Sequence, residues 1–116
     1  MMNEITRSSI FEIDGRKFET IAVSLENALS LYVYEDLPRL GTFGISVPAT
    51  SIMPASTLFI SGTKDEHFIR IIGERLATRV QKLVLISFSL ENTSNDLILE
   101  IVEKIESELM VEKDVK

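Results

Sequence analysis

The pattern of apolar and polar positions centres on residues 82–90, K-L-V-L-I-S-F-S-L. Leu83, Val84, Leu85 and Ile86 form an unbroken apolar run, which predicts a strand buried on both faces over that half. Beyond it the residues alternate. Val84, Ile86, Phe88 and Leu90 point one way, while Leu83 and Leu85 point the other and give way to Ser87 and Ser89. Helical periodicity lies immediately before and after this strand, so both helices can fold back onto it.

Upstream, residues 1–7 read as a frayed start, and residues 8–13 and 17–25 as strands joined by Asp14-Gly15. Asp-Gly between such runs is a strong hairpin signal, because both positions tolerate positive φ. In the second strand Glu19 departs from an otherwise apolar set of Ile21, Val23 and Leu25. After a turn at Glu26-Asn27, Leu29, Leu31 and Val33 alternate with Ser30, Tyr32 and Tyr34, giving a third strand. Residues 35–40, E-D-L-P-R-L, break the pattern at Pro38, which cannot donate into a ladder. Residues 42–47 resume it with Phe43, Ile45 and Val47 on one side. A loop over residues 48–55 is bracketed by prolines, and residues 57–61 form a fifth strand. The short spacings describe an antiparallel meander.

Thr63-Lys64-Asp65-Glu66 fits a capping box, with Ile69, Ile72, Leu76 and Val80 following at helical spacing. Gly73 inside that helix implies a close approach to the sheet. Asn92-Thr93-Ser94 caps a second helix whose stripe runs through Leu97 or Ile98, then Ile101, Val102, Ile105 and Leu109, and residues 111–116 read as a charged tail. The expected fold class is α+β. An antiparallel sheet of about six strands, begun by the N-terminal meander, carries two helices, and the last strand lies between the helices in sequence. With 116 residues, no internal repeat and no linker, residues 1–116 read as a single domain.

Composition narrows the function classes. The chain has no cysteine, hence no disulfide, thiolate nucleophile or Cys-ligated zinc. The formal net charge of −6 argues against nucleic acid or an anionic membrane as partner, since both call for a basic footprint. No apolar run approaches the ~20 residues of a membrane span, and the start lacks the features of a secretory signal.

Candidate chemistry is sparse. His67 is the sole histidine and falls in the first turn of a predicted helix among Lys64, Asp65 and Glu66, where it reads as an exposed helix residue. Zinc takes three or four ligands, and here only carboxylates could complete the set. Gly41-Thr42-Phe43-Gly44 has no following Lys-Ser or Lys-Thr and leads into a strand, so it reads as a turn and a closely approached strand rather than a phosphate cradle. Glu100, Glu103, Glu106 and Glu108 read as a solvated helix face. Ser87 and Ser89 have no base in view. The chain is not expected to be an enzyme and is expected to carry no cofactor, metal or catalytic residue.

Tyr32, Tyr34 and Phe59, interleaved with Ser30, Thr57 and Ser61, place aromatics on the sheet face opposite the helices. Such rings either form an interface or pack beneath the 48–55 loop beside Met53 as a satellite core. Both readings are open at this level.

Several of these residues carry a resemblance. Tyr32-Val33-Tyr34 followed by Pro38-Arg39-Leu40-Gly41-Thr42-Phe43 resembles the corresponding strand, loop and strand of the proteasome assembly chaperone 3 and 4 family. Leu58-Phe59-Ile60-Ser61-Gly62 with Asp65-Glu66 continues the likeness. Leu90-Glu91-Asn92-Thr93 is similar to the L-x-N-T with which the family leaves its central strand. The resemblance spans residues 17–109, its first half leaning to one paralogue and its second half to the other. It implies an α+β domain that pairs with its paralogue, or with itself when alone, and binds a 20S proteasome α-subunit of the α5 type to guide α-ring assembly. It further implies release before the core particle matures and no nucleotide or metal; with the charge excluding nucleic acid and membrane as partners, the chain is expected in the cytoplasm, the nucleus being a further option. Gly41 and Thr42 match the family pattern. Tyr32, Tyr34, Leu37, Arg39 and Leu40 join them as expected protein-interaction residues, from their loop position and exposed aromatics. Two other readings share the composition: a different dimeric adaptor of trafficking or signalling, and a small hydrolase or ligand-binding domain with its pocket between the sheet and the 48–55 loop.

Overall fold

The computed structural model describes residues 5–108. Its elements run β1 (Thr6–Ile13), β2 (Arg16–Ser24), β3 (Ala28–Glu35), β4 (Thr42–Val47), β5 (Ser56–Ser61), α1 (Glu66–Val80), β6 (Leu83–Ser89) and α2 (Asn95–Glu108). Asp14 and Gly15 both take positive φ, at 53° and 78°, so the β1–β2 hairpin closes as its Asp-Gly predicts. β1 takes in Thr6 and Arg7, which the periodicity had assigned to a frayed start. The rest of that start (residues 1–4), Leu109 of the α2 stripe and the charged tail lie outside the described residues.

The α+β class, the six strands, the two helices and the placement of β6 between them are as expected. The meander, however, stops after β3. The sheet order is β1-β2-β3-β6-β4-β5, and β6 enters between β3 and β4, parallel to β3 and antiparallel to β4. The reason lies in burial. The strand with apolar residues on both faces takes an interior position, and α1, crossing the sheet after β5, delivers it there. β3 and β4 are then two strand spacings apart, roughly 10 Å. Residues 36–41 bridge that gap, which no two-residue hairpin could do.

Both helices lie on one face. Val84, Ile86 and Phe88 of β6 pair with Leu29, Leu31 and Val33 of β3, and all six are buried, together with Phe11, Phe18 and Ala22 from β1 and β2. Against them pack Ile69, Ile72 and Leu76 of α1 and Leu97, Ile98, Ile101, Val102 and Ile105 of α2. On β4 the side turned to α1 is Thr42, Gly44 and Ser46, while Phe43, Ile45 and Val47 point away from it. Small residues there let the helix close onto the sheet. A Cβ on Gly73 would collide with Ser46, and one on Gly44 would collide with Ile69. The close approach inferred from Gly73 is therefore present.

Two local expectations change. Asp65, not Thr63, precedes α1, with φ of 60° and no side-chain cap bond. Its carboxylate is instead engaged by Lys64, at 3.1 Å, and by the Thr93 hydroxyl, which donates to it across 2.5 Å and ties the start of α1 to the approach of α2. Ser94 does cap α2, accepting from the Leu97 N–H. Glu106 leaves the solvated face expected of it. Its carboxylate accepts two bonds from Arg75, at 2.9 and 2.8 Å, and lies 3.7 Å from Arg79, joining the helices side by side.

Alanine at an exposed helical glycine normally adds about 1 kcal/mol of stability. Gly73→Ala is expected to remove roughly 1–3 kcal/mol instead, because the added methyl overpacks the contact with Ser46. Urea unfolding checks this, and in a double-mutant cycle the loss shrinks when Ser46→Gly opens the space.

Candidate protein-interaction surfaces

The connection from β3 to β4 crosses the end of β6 closely. Gly41 passes so near the carbonyl of Phe88 that a Cβ there would collide with it, and the Gly41 N–H donates to Ser87 Oγ at 2.9 Å. Ser87, fully buried on the central strand, is thus an anchor for this loop. Pinned at Gly41, the loop projects Leu37 and Leu40, 68% and 65% exposed, on either side of an exposed Arg39. No ion pair of Arg39 is present among the described residues.

The other end of the loop is fixed by Glu35. Its carboxylate accepts from Arg16 Nε and Nη2, at 2.9 and 2.7 Å, and from the backbone N–H of Glu91 at 2.8 Å. Lys64 donates to the Leu90 carbonyl at 2.9 Å. These bonds gather the exits of β3 and β6 around a cleft of about 300 Å³, lined by Glu35, Asp36, Leu37, Arg39, Lys64 and Glu91 among others. Arg16 and the Glu91 amide hold the Glu35 carboxyl below its ordinary range, against the opposing effect of burial.

The sheet face opposite the helices forms the second surface. Ile21 and Val23 of β2, Tyr32 of β3, Leu83 and Leu85 of β6, and Phe43, Ile45 and Val47 of β4 share it and are partly exposed. Ile10 of β1 and Phe59 of β5 extend it to both edges at 60% and 53% exposure. No helix covers it among the described residues. The expectation that Leu83 and Leu85 are buried fails within the single chain, since the helices cover only the other side of β6.

The seven expected interaction residues therefore separate. Leu37, Arg39 and Leu40 form the projecting loop, and Tyr32 lies on the open face. Tyr34 is only 4% exposed, and burial, together with the bond between its hydroxyl and Glu19, pushes its pKa up. Gly41 and Thr42 are packed against β6, Thr42 at 8% exposure, so they position the loop from beneath. Phe59 and Met53 are 53% and 59% exposed, which leaves no satellite core beneath the 48–55 loop. Clefts of about 300, 310 and 270 Å³ occur at the β3 and β6 exits, beside Tyr34 and on α2, and none of the three is lined by that loop. His67 is exposed and lies against Phe68. No cluster of three metal-ligating side chains occurs among the described residues.

Sequence reasoning missed Ile21, Val23, Phe43, Ile45, Val47, Leu83 and Leu85 as surface residues. The signal was present in the apolar side of β4, but alternation alone does not say which side meets a helix. No protein-family model matches the sequence, and no curated protein matches it. Among solved structures, the fold superposes on a chain from the crystal structure of a novel chaperone complex for yeast 20S proteasome assembly. The TM-score is 0.64, over 93% of this chain and 98% of that one, with 15% sequence identity. At that identity the likeness is one of fold.

Because the folded-state pKa of Glu35 is depressed, its stabilisation is present above the ordinary carboxylate range and is lost as pH falls through the lowered value. Glu35→Gln is expected to lower stability at neutral pH by roughly 1–3 kcal/mol. The gap between variant and wild type should narrow in urea titrations as pH falls through and below the ordinary carboxylate range.

Proposed function

We propose that this protein is a proteasome assembly chaperone subunit acting by binding alone, without a covalent step. In this reading the open sheet face pairs with a paralogous chaperone, or with a second copy when no paralogue is present. The dimer then binds a 20S proteasome α-subunit of the α5 type to promote α-ring assembly, in the cytoplasm and the nucleus.

The observation that carries the reading is the central strand. β6 is apolar on both faces, yet the helices bury only one of them. A strand so composed calls for a second body on the other side. A face of Ile, Val, Leu, Tyr and Phe, largely without charge, has the composition of an interface core. The likeness of fold to a chain of a yeast assembly-chaperone complex agrees with this, as do the loop and strand motifs that resemble the family. The projecting Leu37-Pro38-Arg39-Leu40 segment lies at the strand ends, away from the open face, and offers a separate surface for the α-subunit.

Affinity capture of the tagged full chain, read by mass spectrometry, tests this. The expected catch is proteasome α-subunits with one small partner and no mature β-subunits. Recovery of a different complex without proteasome subunits would overturn the reading in favour of another adaptor. Leu85→Lys, whose stem stays on the sheet while its charge disrupts the open face, is expected to lose the small partner. Leu37→Ser with Arg39→Glu is expected to weaken α-subunit capture by about tenfold or more, while thermal unfolding is little changed.

A further inference from the structure

The outer edge of β5 stands apart from every other part of the sheet. β5 is the last strand in the order β1-β2-β3-β6-β4-β5 and pairs only with β4. Among the described residues, no loop, cap or side chain hydrogen-bonds to the backbone of residues 56–61. An edge strand of this kind presents a row of free N–H and C=O groups.

The opposite edge is guarded. β1 carries Arg7 and Glu12, its Ser9 hydroxyl bonds Glu108, and α2 packs beside it. β5 reads S-T-L-F-I-S, with neither charge nor proline. It ends a longer anomaly. In a chain that is 26% charged, residues 40–63 contain no Asp, Glu, Lys or Arg. Leu58 and Phe59 are 64% and 53% exposed along this edge. Leu58 falls where the β4–β5 register shifts, and the preceding loop adds Ile52 and Met53 at 85% and 59%.

We propose that the β5 edge is a strand-docking site for an extended, uncharged, alternating apolar segment of a partner protein. The free ladder would supply main-chain bonds, and the exposed Leu58 and Phe59 would select the side chains. Charge sets the character of the segment. The flank of α1 beside β5 carries Glu74, whose carboxylate accepts from Thr57 at 2.7 Å, and Arg70 one turn earlier. Arg70 is ion-paired with Glu66 at 3.7 Å and Glu74 is held by Thr57, so both charges are already engaged and neither an acidic nor a basic strand gains there. A second copy of this chain is the poorer occupant. Strands of this length span only about 20 Å, so two β5 edges paired alone would bury far less than the ~1,000 Å² of a stable interface. The backbone edge and Leu58 lie outside the open face, and Phe59 borders both.

Selection from a randomised peptide display library against the full chain tests the proposal. The expected winners are uncharged peptides with alternating apolar residues. Their binding should fall by about tenfold or more in Leu58→Lys and persist in Leu58→Thr, with circular dichroism confirming that both variants fold. On the wild-type chain the selected peptide should slow amide exchange across residues 56–61, a readout that stands even if Leu58→Lys fails to fold. Absence of enrichment, a charged consensus, full binding by folded Leu58→Lys, or unchanged exchange at 56–61 would each overturn the assignment. So would self-association by sedimentation that Leu58→Lys abolishes, since the occupant would then be a second copy.

Discussion

The fold depends on one requirement: β6 must lie inside the sheet, between β3 and β4. Its Val84, Ile86 and Phe88 meet the helices in the fully dry part of the core, and Leu83 and Leu85 face the other way. Only an interior position gives such a strand hydrogen-bonded neighbours on both edges and apolar neighbours on its faces. From that follow the insertion between β3 and β4, the parallel β3–β6 pair and the long connection over the strand end. That connection is in turn the source of the projecting Leu37–Leu40 segment. The placement of a structural strand thus creates an exposed loop.

Close packing on β4 serves the same requirement. Gly44 and Ser46 on the sheet and Gly73 on α1 are small where helix and strand approach, so the helix reaches the core without a gap. Turning small residues inward leaves Phe43, Ile45 and Val47 outward, which enlarges the open face beside Leu85. The polar contacts fix geometry more than they add energy. Arg16–Glu35–Glu91 clamps the exits of β3 and β6, Asp65–Thr93 ties the starts of the two helices, and Arg75–Glu106 holds the helices together. An ion pair with one partly exposed partner, such as Arg75–Glu106, contributes modestly. The consequence of these contacts is a rigid frame around the strand ends, from which a loop can present two leucines and an arginine with little left to order on binding.

Two surfaces of different chemistry result: a broad apolar sheet face, and a strand edge in a charge-free span of the chain. Each breaks a rule that isolated domains follow. Large apolar patches and unguarded edges are normally suppressed because they invite association. In this chain the other edge and the helix faces are well supplied with charge, so both departures are confined to these two places.

The sequence by itself determined the elements, because turn chemistry and hydrophobic period are local properties. Asp14-Gly15 set the first hairpin, alternation placed β3 and β4, helical spacing named the buried residues of α1 and α2, and Gly73 announced a close contact. It also separated two faces on β3, β4 and β6, though not on β5, where the register shift turns Thr57 and Phe59 to opposite sides. Tertiary structure alone decided which face a helix covers and which strands are neighbours, since both depend on contacts between residues far apart in the chain. Hence Tyr34, read as exposed, is buried beside Glu19. Thr63 lost its capping role when Asp65 was drawn to Thr93, and Glu106 left solvent for Arg75. Leu83 and Leu85 could be read as buried but not by what. The chain holds one pair of helices, and geometry spends both on the same side of the sheet.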